Sequence, residues 1–191
     1  GQNTIVPPAR TRYLAEIAET VRGYRQRASE DAARARAAFG LAEAGAEVVI
    51  NGRSEERVRK AIEHILSRLP GARLIGLAAD LGTVEGAREL FSKILNVDIL
   101  VNNLGIFEPK GFFDITDADW QRFFDVNVMS AVRLSRHYAP AMAERGWGRV
   151  LFLSSESALQ IPAEMVHYGT TKTALLAISR GLAETLAGMP I

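Results

Sequence analysis

The sequence contains no cysteine and only three histidines. The absence of cysteine excludes disulfide bonds, thiolate metal sites and a cysteine nucleophile. The histidines, His64, His137 and His167, are scattered and do not have the spacing of metal ligands. We therefore expect no metal cofactor.

The sequence also lacks a charge excess of either sign and any long hydrophobic run. Its 23 basic and 22 acidic residues give a net charge of +1, so no overall field favours nucleic acid or an anionic membrane. No apolar run approaches the ~20 residues that cross a bilayer, and the N-terminus has no basic and apolar leader. We expect a cytoplasmic protein with neither a nucleic-acid nor a membrane partner.

What is present is a globular composition, with 191 residues of which 48% are hydrophobic. Short runs rich in Val, Ile and Leu alternate with helical patterns. The runs are typical of strands buried on both faces, and their alternation with helices predicts an α/β fold with a mostly parallel sheet. The predicted strands cover 46–51, 73–79, 97–101 and 148–154, and the predicted helices cover 54–68, 83–95, 117–144 and 165–187.

The N-terminal part does not follow this alternation. Residues 10–44 are rich in Ala, Arg and Glu, with apolar residues at helical spacing. This pattern predicts a solvated amphipathic helix, preceded by an extended segment over residues 1–8, which contain two prolines. The chain therefore divides into an atypical N-terminal segment, 1–40, and a core, 41–191.

Tyr168 and Lys172 are four residues apart in a predicted helix, which places both side chains on one face, one turn apart. An ammonium group at that position lowers the pKa of a phenol, so that the phenol can give or take a proton. Alone, such a pair is also typical of a solvated helix surface. Its context favours a functional pair over a surface pair. Ser154 and Ser155 follow an apolar strand, and open α/β sheets bind their ligands at the ends of such strands.

These residues resemble the short-chain dehydrogenase/reductase family. The resemblance begins with a strand that ends in Ser-Ser, the 13 residues from Ser155 to Tyr168, and the Tyr-x-x-x-Lys pattern that ends at Lys172. Three further matches are Asn102-Asn103-Leu104-Gly105, which is similar to the family's Asn-Asn-Ala-Gly, Asn127 on a helix, and Asp80 after a strand. Along the chain the motifs occur in the order that the family has, and the resemblance covers residues 41–188.

The resemblance implies a Rossmann-like, doubly wound parallel sheet and an oxidoreductase that interconverts a hydroxyl and a carbonyl with NAD(P)(H). It implies that Tyr168 is the acid/base, that Lys172 lowers the pKa of Tyr168 and binds the nicotinamide ribose, and that Ser155 holds the substrate oxygen. Asn127 would fix a water in the proton relay. His167, Glu156 and Glu164 lie near the expected pocket and are interpreted as solvated, with contact to the substrate as the alternative.

The resemblance also implies a cofactor site. Asp80 would contact the adenine, and Asn102 and Gly105 belong to the motif that lines the site. Arg53 follows strand 46–51 where a chain that selects NAD has an acidic residue, and its guanidinium suits a 2′-phosphate. We therefore expect NADP(H) in preference to NAD(H), with neutral hydrogen bonds from Asn51 or Ser54. A solvated turn residue is the alternative for Arg53.

Two parts of the family pattern are missing. Ala28, Ala32 and Arg34 stand where a glycine-rich phosphate loop is expected, and the polar run 21–27 stands where its strand is expected. The chain also stops shortly after the catalytic helix. These features predict a truncated, rearranged or incompletely represented gene product with a short C-terminus.

Three functional hypotheses follow. The first is an oxidoreductase for a small alcohol or ketone, apolar because Phe107 and Ile161 lie near the site. The second is a catalytically impaired scaffold or oligomer subunit that lacks the phosphate loop, and the third is a sheet that another chain completes. We also expect a homodimer or homotetramer. Helices 117–144 and 165–187 carry more apolar side chains than one sheet face covers, namely Phe123, Phe124, Val128, Leu134, Tyr138, Met142, Leu175, Leu176, Ile178 and Leu182.

Overall fold

The computed structural model of the chain describes residues 12–16, 36–189 and 191. The strands within these residues are β1 (Arg12–Glu16), β2 (Glu47–Gly52), β3 (Arg73–Ala78), β4 (Ile99–Asn102) and β5 (Arg149–Phe152). They form one sheet in the order β3-β2-β1-β4-β5, and every neighbouring pair is parallel. The sheet therefore needs a crossover between successive strands.

Helices supply the crossovers. They are α1, described over 36–43, α2 (Glu55–Leu66), α3 (Val84–Lys93), α4 (Asp117–Phe124), α5 (Ser130–Glu144) and α6 (Val166–Thr185). A π-helical turn, Asp125–Met129, joins α4 and α5 into one continuous helix, which agrees with the single helix predicted over 117–144. Short 3-10 helices cover Phe112–Asp114, Glu156–Ala158 and Ala163–Met165.

Both faces of the sheet are covered, as the continuous apolar runs predict. On one face, Val49 and Leu100 pack with side chains of α3 and α5, including Leu90 and Leu134. On the other face, Val48 and Ile50 of β2 pack with α1 and α2. The helix residues in this cluster are Ala38, Ala42, Val58 and Ile65. The predicted doubly wound parallel sheet is therefore confirmed.

The helix starts also follow the sequence. The Thr83 side chain accepts a hydrogen bond from the backbone N–H of Gly86, and Thr116 forms a reciprocal capping box with Asp119. Ser54 precedes α2 without a side-chain cap bond. Thr116 and Asp119 together fix the start of the long helix beside the candidate site.

The predicted helix over 10–44 is wrong for Arg12–Glu16, which form β1 at the centre of the sheet. Tyr13, Leu14 and Ala15 pair with β2 on one side and β4 on the other. Without them, the inner edges of β2 and β4 would lose their backbone partners, so sheet pairing outweighs the local helical period. The sheet therefore uses residues from both sides of the predicted boundary at residue 41. Residues 36–43 are helical as predicted, whereas the 21–27 run and Ala28, Ala32 and Arg34 lie outside the described residues.

The expectation that the long helices carry more apolar side chains than the sheet covers is also corrected. Most of those side chains are buried within the single chain, since Phe123, Val128, Leu134, Tyr138, Met142 and Leu175 are at most 5% exposed. Leu176 is 41% exposed. These apolar side chains therefore belong mainly to the core, and they do not by themselves require a partner.

Among the described residues, no helix is long and apolar enough to span a membrane, and no group of three or more metal-ligating side chains occurs.

Candidate active site

The carboxyl ends of the parallel strands meet at one edge of the sheet. At this edge lie the residues that directly follow β2, β3, β4 and β5. The sequence-predicted residues among them are Arg53, Asp80, Gly105 and Ser155, with Asn102 as the last residue of β4. The fold thus brings the predicted cofactor and catalytic residues to the edge where open α/β sheets bind ligands.

Tyr168 and Lys172 lie in the first two turns of α6 and are 1% and 3% exposed. The Lys172 Nζ is 5.8 Å from the centroid of the Tyr168 ring, and it donates a hydrogen bond of 2.9 Å to the backbone oxygen of Leu153. The ammonium group is therefore held between the end of β5 and the phenol. This is the proximity that the predicted role of Lys172 requires.

Asn127 lies in the π-helical turn and is buried. Its Oδ1 accepts a hydrogen bond from the Ile106 N–H at 2.7 Å, and its Nδ2 donates to the Ile106 oxygen at 2.9 Å and to Thr171 Oγ1 at 3.0 Å. Thr171 Oγ1 in turn donates to the backbone carbonyl oxygen of Tyr168 at 2.7 Å. Asn127 therefore joins the segment after β4 to the helix turn that carries Tyr168 and Lys172.

Thr171 is a positioning residue that the sequence analysis missed. The available signal was a hydroxyl residue inside the Tyr-x-x-x-Lys stretch, directly before Lys172. Its bond with Asn127 joins positions 44 residues apart, which no local pattern reveals.

Ser155 precedes the 3-10 helix Glu156–Ala158, and its Oγ accepts a hydrogen bond of 3.2 Å from the Ser157 N–H. Two neighbouring bonds tie this turn to α6. Ser154 Oγ donates to the Lys172 oxygen at 3.0 Å, and Thr173 Oγ1 donates to the Ala158 oxygen at 2.7 Å. Ser155 is therefore presented on a turn that is fixed against α6.

The cofactor side of the edge combines exposed charges with buried amides. Arg53 and Asp80 are exposed, and Asp80 Oδ1 accepts a hydrogen bond from the Gly82 N–H at 3.0 Å. Asn102 is buried and donates to Ser135 Oγ at 3.1 Å, while its Oδ1 has no hydrogen-bond partner within the described part of the chain. A guanidinium after β2, a carboxylate after β3 and an unpaired acceptor at the end of β4 fit a cofactor that carries a phosphorylated ribose and hydrogen-bond donors.

Asn51 does not face this site. It is buried at the end of β2, and its Nδ2 donates to the backbone oxygens of Leu77 and Ala79, at 3.1 and 3.2 Å. Both of its amide hydrogens are therefore used to tie β2 to β3. The expectation that Asn51 could bind a 2′-phosphate is wrong for this reason.

His167 is also placed differently from the expectation. It is 1% exposed, and its ring centroid lies 4.0 Å from that of Phe123 and 6.1 Å from that of Trp120. Burial lowers the pKa of His167, and its ring nitrogens have no hydrogen-bond partner in the described structure. Glu156 and Glu164 are exposed, as expected.

Comparisons with known proteins agree with this geometry. A sequence model of the family described as short chain dehydrogenase matches residues 35–191. The uncharacterized oxidoreductase YvaG of Bacillus subtilis is 54% identical over 151 residues, which cover 79% of this chain and 57% of that protein. The 3-oxoacyl-(acyl-carrier-protein) reductase FabG of Aquifex aeolicus is 32% identical over 77% of this chain and 60% of its own length.

Solved structures show the same likeness. The L-sorbose reductase of Gluconobacter frateurii, complexed with NADPH and L-sorbose, superposes with a TM-score of 0.75 at 30% sequence identity. The superposition covers 93% of this chain and 65% of that one. The chain thus spans less than two thirds of the length of these relatives.

Proposed function

Because this chain belongs to the short-chain dehydrogenase family, we propose that it is an NAD(P)(H)-dependent oxidoreductase that interconverts a hydroxyl and a carbonyl on a small, apolar alcohol or ketone. The buried pair of Tyr168 and Lys172, one turn apart on α6 with Nζ 5.8 Å from the phenol ring, carries this proposal. Burial of an ammonium group is costly, so a buried ammonium beside a buried phenol is more typical of a functional site than of a packed core.

The bound cofactor would supply or accept the hydride. In carbonyl reduction, Tyr168 Oη would donate its proton to the substrate oxygen, and in alcohol oxidation it would take that proton back. Ser155 Oγ would hold the same oxygen by a hydrogen bond, so that the carbon faces the cofactor. Lys172 would favour loss of the Tyr168 proton through its charge.

Asn127 would hold a water that passes the proton onward, and it already fixes the backbone around Ile106 and Thr171. Both Nδ2 hydrogens of Asn127 already bind Ile106 and Thr171, so an oxygen of Asn127 would have to accept the hydrogen bond from this water. Asp80, Asn102 and Gly105 would line the cofactor, since all three lie at the ends of β3 and β4.

For the cofactor we propose NADP(H) in preference to NAD(H). Arg53 is exposed directly after β2, and the segment Asn51-Gly52-Arg53 offers no carboxylate for a free ribose 2′-hydroxyl. A guanidinium pairs well with a phosphate because it offers two parallel donors. The structural relative at 30% identity was solved with NADPH.

The apolar character of the substrate rests on the residues around Tyr168. The Phe107 ring centroid is 5.9 Å from that of Tyr168, and Ile161 is 45% exposed at the turn that packs against Gly169. These side chains would form an apolar wall beside the reacting carbon. A small hydrophobic alcohol or ketone fits this wall better than a charged one.

The proposal includes a homodimer or homotetramer in the cytoplasm. Leu176 on α6 and Leu151 on β5 are exposed apolar residues that an interface would cover. Light scattering at micromolar concentration tests the assembly, and a strictly monomeric species would contradict it. The cytoplasmic location stays a prediction from composition.

The decisive experiment measures cofactor binding and turnover in the purified protein. NADPH and NADH are titrated by fluorescence, and NADPH consumption is then followed by absorbance with a panel of cyclic, aliphatic and aromatic ketones, with sugar ketoses as the polar comparison. We expect tighter binding of NADPH, and turnover that is fastest with an apolar ketone. Failure to bind either cofactor would favour the non-catalytic scaffold instead.

A further inference from the structure

The segment between β4 and α4, residues 103–116, carries Phe107 to the candidate site and is tied to α4 by ion pairs. Lys110 Nζ lies 2.6 Å from Asp119 Oδ2, and Glu108 Oε2 lies 2.6 Å from Arg122 Nη2. Neither pair is explained by the proposed catalytic or cofactor roles. Both pairs connect a loop to a helix.

Backbone bonds hold the same segment on both sides of Phe107. Ile106 is bound through its N–H and its oxygen by Asn127. The backbone N–H of Lys110 donates to the backbone carbonyl oxygen of Glu164 at 2.6 Å. Glu164 lies in the 3-10 helix directly before α6. The segment is therefore fixed at Ile106 and again at Lys110, with Phe107 between these two points.

The two ion pairs differ in strength. The side chains of Lys110 and Asp119 are 29% and 18% exposed, whereas those of Glu108 and Arg122 are both 48% exposed. Exposed pairs are screened by water and contribute little. The bond from Lys110 holds the pKa of Asp119 well below its usual range, with further lowering by Thr116. The Lys110–Asp119 pair is therefore the stronger tether.

Asp119 is a rigid anchor for this pair. Its Oδ2 accepts hydrogen bonds from the Thr116 N–H at 3.0 Å and from Thr116 Oγ1 at 2.7 Å, as part of the cap of α4. Asp119 therefore stays in place whether or not Lys110 binds it. Loss of Lys110 should release the loop without releasing the helix.

We propose that the Lys110–Asp119 pair is a clamp that holds residues 106–116 in place, keeps Phe107 against Tyr168, and thereby sets the affinity for substrate but not for cofactor. The effect on substrate rests on the proposed oxidoreductase function. The cofactor should be unaffected because Gly105, the last cofactor-lining residue after β4, lies five residues before Lys110, and Asn127 holds Ile106 between them whether or not Lys110 is paired.

The test uses Lys110→Met, which keeps the length of the side chain and removes its charge. Lys110→Arg keeps the charge and should retain the clamp. Lys93→Met is the matched control, because Lys93 forms an exposed ion pair of equal length with Glu89 on α3, away from the site. Each purified variant is examined by hydrogen exchange, by NADPH titration, and by kinetics with the best ketone of the panel.

We expect Lys110→Met to speed amide exchange over residues 106–116 and to raise KM for the ketone about three- to tenfold, the range of one partly buried ion pair. The kcat, the NADPH dissociation constant and exchange elsewhere in the sheet should be unchanged. Lys110→Arg and Lys93→Met should resemble the natural protein.

Unchanged exchange over residues 106–116 in Lys110→Met would overturn the clamp. Faster exchange with an unchanged KM would overturn its role in substrate binding, and an equal loss of NADPH affinity would overturn its selectivity. If no variant turns over any ketone, the proposed enzymatic function fails. The exchange measurement still decides whether the clamp exists.

Discussion

The two sides of the site are built differently. On the catalytic side, Asn127, Tyr168 and Lys172 are buried, and hydrogen bonds to Ile106, Thr171 and Leu153 hold the residues around them. On the cofactor side, Arg53 and Asp80 are exposed at the ends of their strands. If the proposed roles hold, the fold preorganises the groups that would transfer the proton, whereas the groups that would recognise the ribose lie on exposed side chains.

The most severe test of the catalytic side is Tyr168→Phe. The change removes the transferable proton and keeps the ring that packs against Phe107. Turnover should fall by about 10²- to 10⁴-fold, the scale of general acid/base catalysis, while the circular dichroism spectrum and NADPH binding persist. Steady-state rates comparable to those of the natural protein would remove Tyr168 from the mechanism and would erase the contrast between the two sides.

Asn127→Ala tests whether the catalytic side is held together by its buried amide. The change leaves the Ile106 N–H and oxygen without their partner, and we expect a loss of about 2–4 kcal/mol in the free energy of unfolding. The control is Asn96→Ala, because the Asn96 amide accepts an exposed hydrogen bond from Arg145. Urea unfolding of both variants measures the difference. Equal stabilities would show that the network around Asn127 does not hold the site.

The sequence predicted the catalytic side better than the sheet that supports it. The strand ends, the spacing of Ser155 and Tyr168, and the pair of Tyr168 and Lys172 on one helix face are local patterns. The structure places all of these residues at the predicted edge.

The failures have a common cause, which is tertiary context. β1 has a helical composition, but it pairs because β2 and β4 both need a neighbour. His167 has a polar side chain that local sequence predicts as solvated, yet α4 packs Trp120 and Phe123 against it. From the sequence, Asn51 is expected to donate a hydrogen bond to a 2′-phosphate, but its amide hydrogens bind the backbone oxygens of Leu77 and Ala79 at the end of β3.

Arg53→Ala sharpens the comparison from the cofactor side. Loss of a charge-assisted bond to a 2′-phosphate should weaken NADPH about ten- to a hundredfold and leave NADH unchanged. Arg59→Ala serves as the control, since Arg59 pairs with Glu63 on the exposed face of α2. Both variants are titrated by fluorescence. An equal effect of Arg53→Ala on the two cofactors would show that Arg53 does not read the phosphate.

The smallest expected effect concerns His167, which is buried, directly precedes Tyr168 in the sequence and has no part in the proposed mechanism. Burial lowers its pKa below 6.5, with Asp119 and Glu108 opposing the shift and Arg122 and Lys110 adding to it. The unfolded chain therefore binds a proton more readily than the folded protein. The stabilising contribution is fully present above about pH 6.5 and is lost as the pH falls toward the folded pKa.

His167→Leu removes this titration, so the free energy of unfolding should depend less on pH between about pH 8 and about pH 5. A residual slope is expected, because burial also lowers the pKa of His137. Gln160→Leu, at an exposed position whose side chain does not titrate, should keep the slope of the natural protein. Urea unfolding at several pH values measures all three proteins. A slope in His167→Leu that matches the natural protein would show that unfolding does not change the pKa of His167, and that this part of the site is less isolated from solvent than its burial indicates.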